Sequence, residues 1–381
     1  MDMVHSYARS KQRDIVDLIR QLVECESPTD DPGAVGRFVE LVADSVSGFA
    51  EVRKIPGGQF GPHLQCTFDS PREHQAGQIL VLGHSDTVWP VGTLETMPFR
   101  ESEGRLWGPG VLDMKSGIAF FIFAMRALRD LELVNPHRVV FQINSDEEVG
   151  SPSSRPLTEA EAQRSLAVLV LEPGDGLEGN LKTARKGFGA YTIRVRGKAS
   201  HAGVDFEGGA SAIVELARQI HLVAGFTEPK RGITVNPGTI SGGIRTNVVA
   251  DEAVAAVDFR FWKASEVSLI DEKFRQLIPF DKRCTISVEG GVFRPAMERS
   301  PETGRLFSKA KSLAHEMGVE LGESTSGGNS DGNFTAALGV PTLDGLGGVG
   351  EGPHAIHESI LLDRIADRTA LVAKLVLALG S

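Results

Sequence analysis

Three short, largely apolar runs constrain this chain most: Gln78–Gly83 (QILVLG), Arg138–Asn144 (RVVFQIN) and Ala167–Leu171 (AVLVL). A strand with one wet face alternates apolar and polar residues. Continuous apolar runs instead mark strands buried on both faces, the habit of a largely parallel sheet covered by helices on both sides. Between the runs the period becomes helical. Ile15, Leu18, Ile19 and Leu22 recur at helical spacing in a segment from about 7 to 24, and Ser27-Pro28-Thr29-Asp30-Asp31-Pro32-Gly33 breaks it. A second amphipathic helix is predicted from about 34 to 45, and a long apolar one over 114–130. Buried strands alternating with helices predict an α/β domain.

The pattern changes near Lys186. Ala190–Arg196 (AYTIRVR) alternates apolar and charged residues, so one face of that strand meets water. There follow a helix (about 209–224), strands over 232–240 and 253–261, a helix (265–277) and a strand (284–289). This β-α-β-β-α-β order is that of a ferredoxin-like unit. From about Ala296 the first pattern resumes, ending in a helix over 363–379. The expected organisation is one α/β domain, residues 1–185 and 296–381, interrupted by a small domain over 186–295. A length of 381 residues suits it, at about 150 residues per domain.

Charge and cysteines narrow the function. Fifty acidic residues against 40 basic ones, a net charge of −10, argue against a nucleic-acid partner, which calls for a basic patch. Cys25, Cys66 and Cys284 make neither an even disulfide framework nor a C-x-x-C pair. The N-terminal segment has mixed charge and no apolar core. No stretch approaches the roughly 18 apolar residues of a membrane span. These features predict a soluble, cytoplasmic protein without a membrane partner, secretion staying open if a leader has been removed.

The chemistry gathers where the apolar runs end. QILVLG leads into His84-Ser85-Asp86, at the strand end where open α/β sheets bind ligands. Asp86 could hold the other ring nitrogen of His84 or a neighbouring ligand. Asp113, in Gly108-Pro109-Gly110-Val111-Leu112-Asp113, reads either as an N-cap of the following helix or as a ligand. RVVFQIN runs into Asp146-Glu147-Glu148, three adjacent carboxylates that must be solvated or neutralised by a cation. AVLVL ends in Glu172. Histidine and carboxylates without thiolates suit zinc, cobalt or manganese. The late loop Gly350–Glu358 offers His354 or His357 as a second imidazole, whereas His5, His63, His74, His137, His221 and His315 read as surface or packing residues. Gly174–Gly179 matches G-x-G-x-x-G, but Asp175 and Glu178 stand where a pyrophosphate would lie and no helix is predicted after it, so a nucleotide site is excluded.

In order, His-x-Asp, Gly-Pro-Gly-x-x-Asp-x-Lys-x-Gly, Asp-Glu-Glu-x-Gly-Ser, Glu-Pro, Gly-Lys-Ala-Ser-His-Ala-Gly and a late Gly-x-His run through nearly the whole chain. This series resembles the co-catalytic dizinc metallopeptidases: glutamate carboxypeptidase, aminoacylases, and acetylornithine and succinyl-diaminopimelate deacylases. The bacterial glutamate carboxypeptidases are nearest, through GHSDTV (83–88), NSDEEVGS (144–151) and SGGNSDGNF (326–334). The resemblance implies a zinc-peptidase-like three-layer catalytic domain interrupted by a ferredoxin-like dimerisation domain. It also implies two divalent metal ions, most simply Zn2+, with Co2+ or Mn2+ as substitutes.

Carried over by motif, Asp113 would bridge the two ions, His84 and Glu172 would complete one site, and Glu148 and His354 the other. His354 is preferred to His357 because Glu358 follows it by four residues, as in the family. The Asp113–Met114 peptide would be cis. Glu147 would be the general base and Asp86 the partner of His84. The inserted domain would form a homodimer and bring His201 to the partner's active site as an oxyanion donor. Asn247 and Arg260 match substrate-contact positions, and Arg294 a carboxylate-binding arginine, for which the guanidinium fork is suited. The implied reaction is hydrolysis of a peptide or N-acyl amide to release an amino acid with a free carboxylate, Glu147 taking a proton from a metal-bridging water and passing it to the leaving amine. The alternative is an N-acyl-amino-acid deacylase with the same centre. One departure bears on the choice: Asn180 stands where the glutamate carboxypeptidases carry a specificity-pocket lysine.

Overall fold

The computed structural model describes residues 2–68 and 77–379, so His74 lies outside the described residues. The chain divides into two compact units: Met1–Ala184 with Arg299–Ser326 and Ser330–Ser381, and Arg185–Glu298 with Gly327–Asn329.

The first unit is built on a six-stranded sheet in the order Glu51–Pro56, Pro62–Phe68, Arg138–Asn144, Gln78–His84, Ser165–Val170, Thr342–Leu343. The three apolar runs lie side by side and parallel within it, with His84 opposite Asn144, so their carboxyl ends share one rim. Their side chains divide by parity. Ile79, Val81, Phe141 and Leu169 join the large core formed with helices Gln12–Glu24, Pro32–Val46, Ser116–Asp130 and Ile365–Ala378. Leu80, Leu82, Val140, Val168 and Val170 pack on the other face with Ala162 of helix Arg155–Ala162. The result is three layers. Each such side chain contributes about 1.5–3 kcal/mol by leaving water, and the polar residues that do enter these strands, Gln142 and Asn144, are bonded to each other and to Thr158.

Local details depart from the pattern reading. The first segment is two helices, Met3–Ser10 and Gln12–Glu24, and Asp2 caps the former by accepting from the His5 N–H at 3.0 Å. The long helix starts at Ser116 rather than at Met114, because Asp113 and Met114 are non-helical. The hairpin Glu51–Pro56/Pro62–Phe68 is unpredicted. So are the pair Leu181–Arg185/Glu323–Ser326 and a small sheet of Gly350–Glu351, Ser359–Leu361, Arg105–Trp107 and Arg100–Ser102.

The second unit is a four-stranded antiparallel sheet in the order Thr234–Gly242, Glu252–Phe261, Gly187–Arg196, Thr285–Arg294, with helices Ala212–Ala224 and Val267–Arg275. Tyr191, Ile193, Val195, Ala255, Val257 and Phe259 face these helices and form their core. Phe188, Arg260 and Arg294 are opposite one another in the register and share the face away from it. This connectivity and order are ferredoxin-like.

Candidate metal centre

The rim at the carboxyl ends of the buried strands holds the histidine and acids singled out above. His84 closes the strand Gln78–His84 and is 2% exposed. Its Nδ1 lies 2.9 Å from the Asp86 carbonyl, which can only accept, so Nδ1 carries the proton and Nε2 presents a lone pair. That Nε2 lies 3.1 Å from Asp113 Oδ1 and 3.6 Å from Glu172 Oε1. Asp113 turns its other oxygen to His354: Nε2 of His354 is 3.3 Å from Asp113 Oδ2 and 3.3 Å from Glu148 Oε2. Among the described residues two groups could hold a metal ion, His84–Asp113–Glu172 and Asp113–Glu148–His354, sharing Asp113.

These residues fit a pair of cations. Imidazole lone pairs aimed at carboxylates repel them unless a proton or a cation lies between. Two atoms each about 2.0–2.1 Å from a tetrahedral zinc ion stand roughly 3.3 Å apart, the spacing these nitrogen–oxygen pairs keep. Glu148 Oε1 is buried without a hydrogen-bond partner. The alternative roles fall away: helix Ser116–Asp130 has no side-chain cap from Asp113, and His357 belongs to neither group. Protons can stand in for the cations. Burial alone would lower the His84 imidazolium, but its bonds to Asp113 and Asp86 hold it well above its ordinary value. His354 is pushed up to about 10 by bonds to Asp113 and Glu148. Burial would raise Asp113, yet the two imidazoles hold it below the usual carboxylate range. Proton and metal compete for the same lone pairs.

Buried acids around the rim fix these residues in place. The Asp86 carboxylate accepts from the backbone N–H of Glu147 at 3.2 Å and of Glu148 at 3.1 Å, and from the Thr29 hydroxyl at 2.9 Å. Asp86 therefore serves His84 chiefly with its carbonyl, its Oδ1 lying farther off at 3.6 Å from Nδ1, and the Glu147–Glu148 turn with its side chain. Glu147 is half-buried in that turn. Asp146 turns away from its two neighbours into the protein, where the hydroxyls of Ser153 and Ser154 donate to it at 2.7 and 2.5 Å. The three adjacent carboxylates thus diverge. Asp331 accepts from Asn144 and Ser151, tying the SGGNSDGNF segment to the NSDEEVGS segment.

Glu358, fully buried, accepts from the Gly110, Leu112 and Asp113 N–H groups at 2.9, 2.9 and 3.0 Å and from Trp89 Nε1 at 2.9 Å. It links the loop of His354 to that of Asp113. Burial raises its carboxyl to about 7 against the pull of these N–H groups. The Asp113–Met114 peptide is cis, and His354 adopts φ +61°, left-handed backbone that few non-glycine residues occupy. The segment Gly174–Gly179 closes on itself, Asp175 bridging to Asn180, and leads into the strand Leu181–Arg185. Of the histidines read as surface or packing residues, His63 is buried on the strand Pro62–Phe68, where its Nδ1 accepts from the Ser145 N–H at 3.1 Å and burial lowers its pKa.

The remaining singled-out residues lie on the second unit. His201 is exposed, bridges to Val248, and accepts at Nδ1 from the Gly203 N–H at 3.1 Å. The Ala202 N–H donates to the Asn247 carbonyl at 3.0 Å, so His201 and Asn247 occupy paired loops. Arg260 is half-buried, bonds Asp258, donates to the Gly327 carbonyl at 3.1 Å and lies 4.9 Å over the Phe188 ring. Arg294, 3% exposed, is the last residue of its strand, beyond a register shift. Among the described residues no helix is long and apolar enough to cross a membrane.

A model of peptidase family M20/M25/M40 matches residues 80–378. Carboxypeptidase G2 of Pseudomonas sp. (strain RS-16) is 27% identical over 384 residues, covering 98% of this chain and 91% of that protein. A succinyl-diaminopimelate desuccinylase of Ectopseudomonas mendocina is 29% identical over 303 residues, covering 73% and 77%. The crystal structure of aminopeptidase PepT from Bacillus cereus superposes with a TM-score of 0.81 at 22% identity, over 97% of this chain and 99% of that one.

Proposed function

Because the chain belongs to peptidase family M20/M25/M40 and is a metallopeptidase-type hydrolase of it, we propose that it cleaves a peptide or N-acyl amide bond to release an amino acid with a free carboxylate. The observation that carries this reading is Asp113 facing His84 with one oxygen and His354 with the other, each imidazole with a further carboxylate beside it. His84, Asp113 and Glu172 would hold one divalent ion, and Asp113, Glu148 and His354 the second. When bound, the ions supply an acidified water and a Lewis acid for the scissile carbonyl. Glu147 takes the proton of the attacking water and returns it to the leaving amine. Asp86 holds the turn that carries Glu147, and the buried Glu358 holds the segment that carries Asp113.

On the second unit, His201 is proposed as an oxyanion donor, acting on the partner's centre in a homodimer, with Asn247, Arg260 and Arg294 binding substrate. The unpaired edge strand Thr234–Gly242 and the outer face of helix Ala212–Ala224 support dimerisation, with Ile240 58%, Val214 52% and Leu222 42% exposed. Asn180 favours a second reading, an N-acyl-amino-acid deacylase of the same chemistry. It is uncharged and abuts Gly322, where a Cβ would lie 2.2 Å from its Oδ1, so it offers no cation to a glutamate side chain.

Metal analysis with a hydrolysis panel of peptides and N-acyl amino acids tests both readings. Glu147→Ala should keep two metals per chain and lose kcat by several orders of magnitude; near-wild-type turnover would refute the mechanism. Mixing Glu147→Ala with His201→Ala chains should restore part of the activity, and no rescue would refute the trans role of His201.

A further inference from the structure

The end of the catalytic unit away from the metal ligands contains a cavity of about 350 Å³. Phe49, Phe68, Met125, Leu128, Leu133 and Val139 supply its apolar walls. Asn135 and His137 also line it. They are 8% and 7% exposed, and each has a buried polar atom, Asn135 Nδ2 and His137 Nδ1, without a hydrogen-bond partner. The other end of the Asn135 amide is used: Oδ1 accepts from the His137 N–H at 3.1 Å, which leaves Nδ2 to donate. Buried amide donors are nearly always paired, so an unpaired one beside an apolar hollow is a recognition element without its acceptor.

We propose that this cavity binds a small apolar molecule, aromatic or branched aliphatic, with one hydrogen-bond acceptor, a carboxylate or a carbonyl, received by Asn135 Nδ2. Size and wall chemistry call for an apolar body and leave room for one polar group. Arg129 and Glu132 also line the cavity with opposite charges, the guanidinium 4.8 Å over the Phe49 ring and bonded to Asp130, so the cavity carries no net positive charge and recognition falls to Asn135. The cavity is separate from the metal centre. His137 precedes the strand Arg138–Asn144 and the Glu147–Glu148 turn follows it, and seven strand residues span about 20 Å. Helix Ser116–Asp130 makes the same journey, starting beside Asp113 and ending with Leu128 and Arg129 at the cavity. A ligand here would touch the far ends of two elements whose near ends carry Glu148 and Asp113.

The test uses the metal-loaded full chain and three probes of one shape: 4-phenylbutyrate, 4-phenylbutanamide and butylbenzene, titrated by calorimetry and ligand-observed NMR. The acid or the amide should bind one saturable site per chain without competing with substrate. Asn135→Leu, close in shape but without the donor, should weaken that probe at least ~10-fold and leave butylbenzene unweakened. Leu133→Trp, filling the cavity from its loop side, should abolish binding of all three, and both variants should keep wild-type turnover without probe. No saturable binding, binding competitive with substrate, or binding untouched by Leu133→Trp would overturn the proposal. So would equal weakening of butylbenzene and the polar probe by Asn135→Leu.

Discussion

Asp86→Ala separates the two halves of the proposed centre. The substitution deletes a carboxylate but keeps the carbonyl that holds His84 Nδ1 at 2.9 Å. It removes the acceptor for the N–H groups of Glu147 and Glu148, at 3.2 and 3.1 Å, and for the Thr29 hydroxyl. A hydrogen bond to a charged group contributes about 1.5–3 kcal/mol. Water entering the space left by the carboxylate recovers part of the three, so a net loss near one bond is expected. That corresponds to the ~10–100-fold loss of metal affinity typical when a group orienting a ligand is removed. The loss should fall on the site of Glu148 and His354, with a smaller effect on the site of His84 and Glu172, and kcat should drop because Glu147 shares the loosened turn. Zinc titration of metal-free protein against a chromophoric chelator resolves two affinities, and near-ultraviolet circular dichroism checks that the variant is folded. Two unchanged affinities, or a larger loss at the His84 site, would refute this division of labour.

Three further outcomes follow from the same geometry. In metal-free protein His354 titrates at about 10 against an ordinary 6.5, so its proton-dependent stabilisation is complete below 6.5 and lost as pH rises through 10. The Tm of chelator-treated protein should therefore fall across that window while metal-loaded protein lacks this step, and parallel curves would count against the assignment. Glu358→Gln turns an amide NH2 toward backbone N–H donors at one of the two oxygens, and should lower both Tm and kcat through the 110–113 segment; unchanged Tm and kcat would show that the segment keeps its shape alone. Gly117→Ala places a Cβ 2.3 Å from the Leu171 carbonyl oxygen, where helix and strand end meet, and should cost about 1–3 kcal/mol by denaturant titration; a neutral result would mean the helix start can move.

The catalytic sheet and three of the five proposed ligands were legible in the sequence for one physical reason. Strands buried on both faces print continuous apolar runs, and parallel strands put their carboxyl ends on one rim, so His84, Glu148 and Glu172 could be placed together before any contact was seen. Asp113 on its own reads equally well as a cap, because loop residues carry no period; its bridging role rests on the family pattern, and so does His354 over His357, through Glu358 four residues on. The strand Pro62–Phe68, second in the sheet, is not announced in the sequence because His63 and Gln65 interrupt its apolar pattern. Both are buried, bonded to Ser145 and to Gln142, and a buried polar pair looks in sequence like a wet surface. Strands of two or three residues, such as Arg105–Trp107 and Ser359–Leu361, are shorter than any repeat that could announce them.

Most of what a motif reading lost is bonding between side chains and backbone. Arg368, 1% exposed, donates to the carbonyls of Gly347 at 3.0 Å, Gly179 at 2.8 Å and Gly345. These carbonyls belong to the loop after Glu172 and to the glycine-rich segment leading to His354. Burial, and behind it repulsion from Arg364, lowers the guanidinium to about 9, and these neutral dipoles together with the charge of Asp367 oppose that cost. Asp86 and Glu358 do the reverse, each gathering N–H groups from a ligand-bearing turn, and Asp146 gathers those of Ser153 and Ser154. None of these partners has a side-chain identity that sequence could register, since any residue supplies the same N–H or carbonyl. The ligands of the proposed centre are therefore readable as letters, whereas the frame holding them at metal-binding distances is written in backbone atoms and emerges only with the fold.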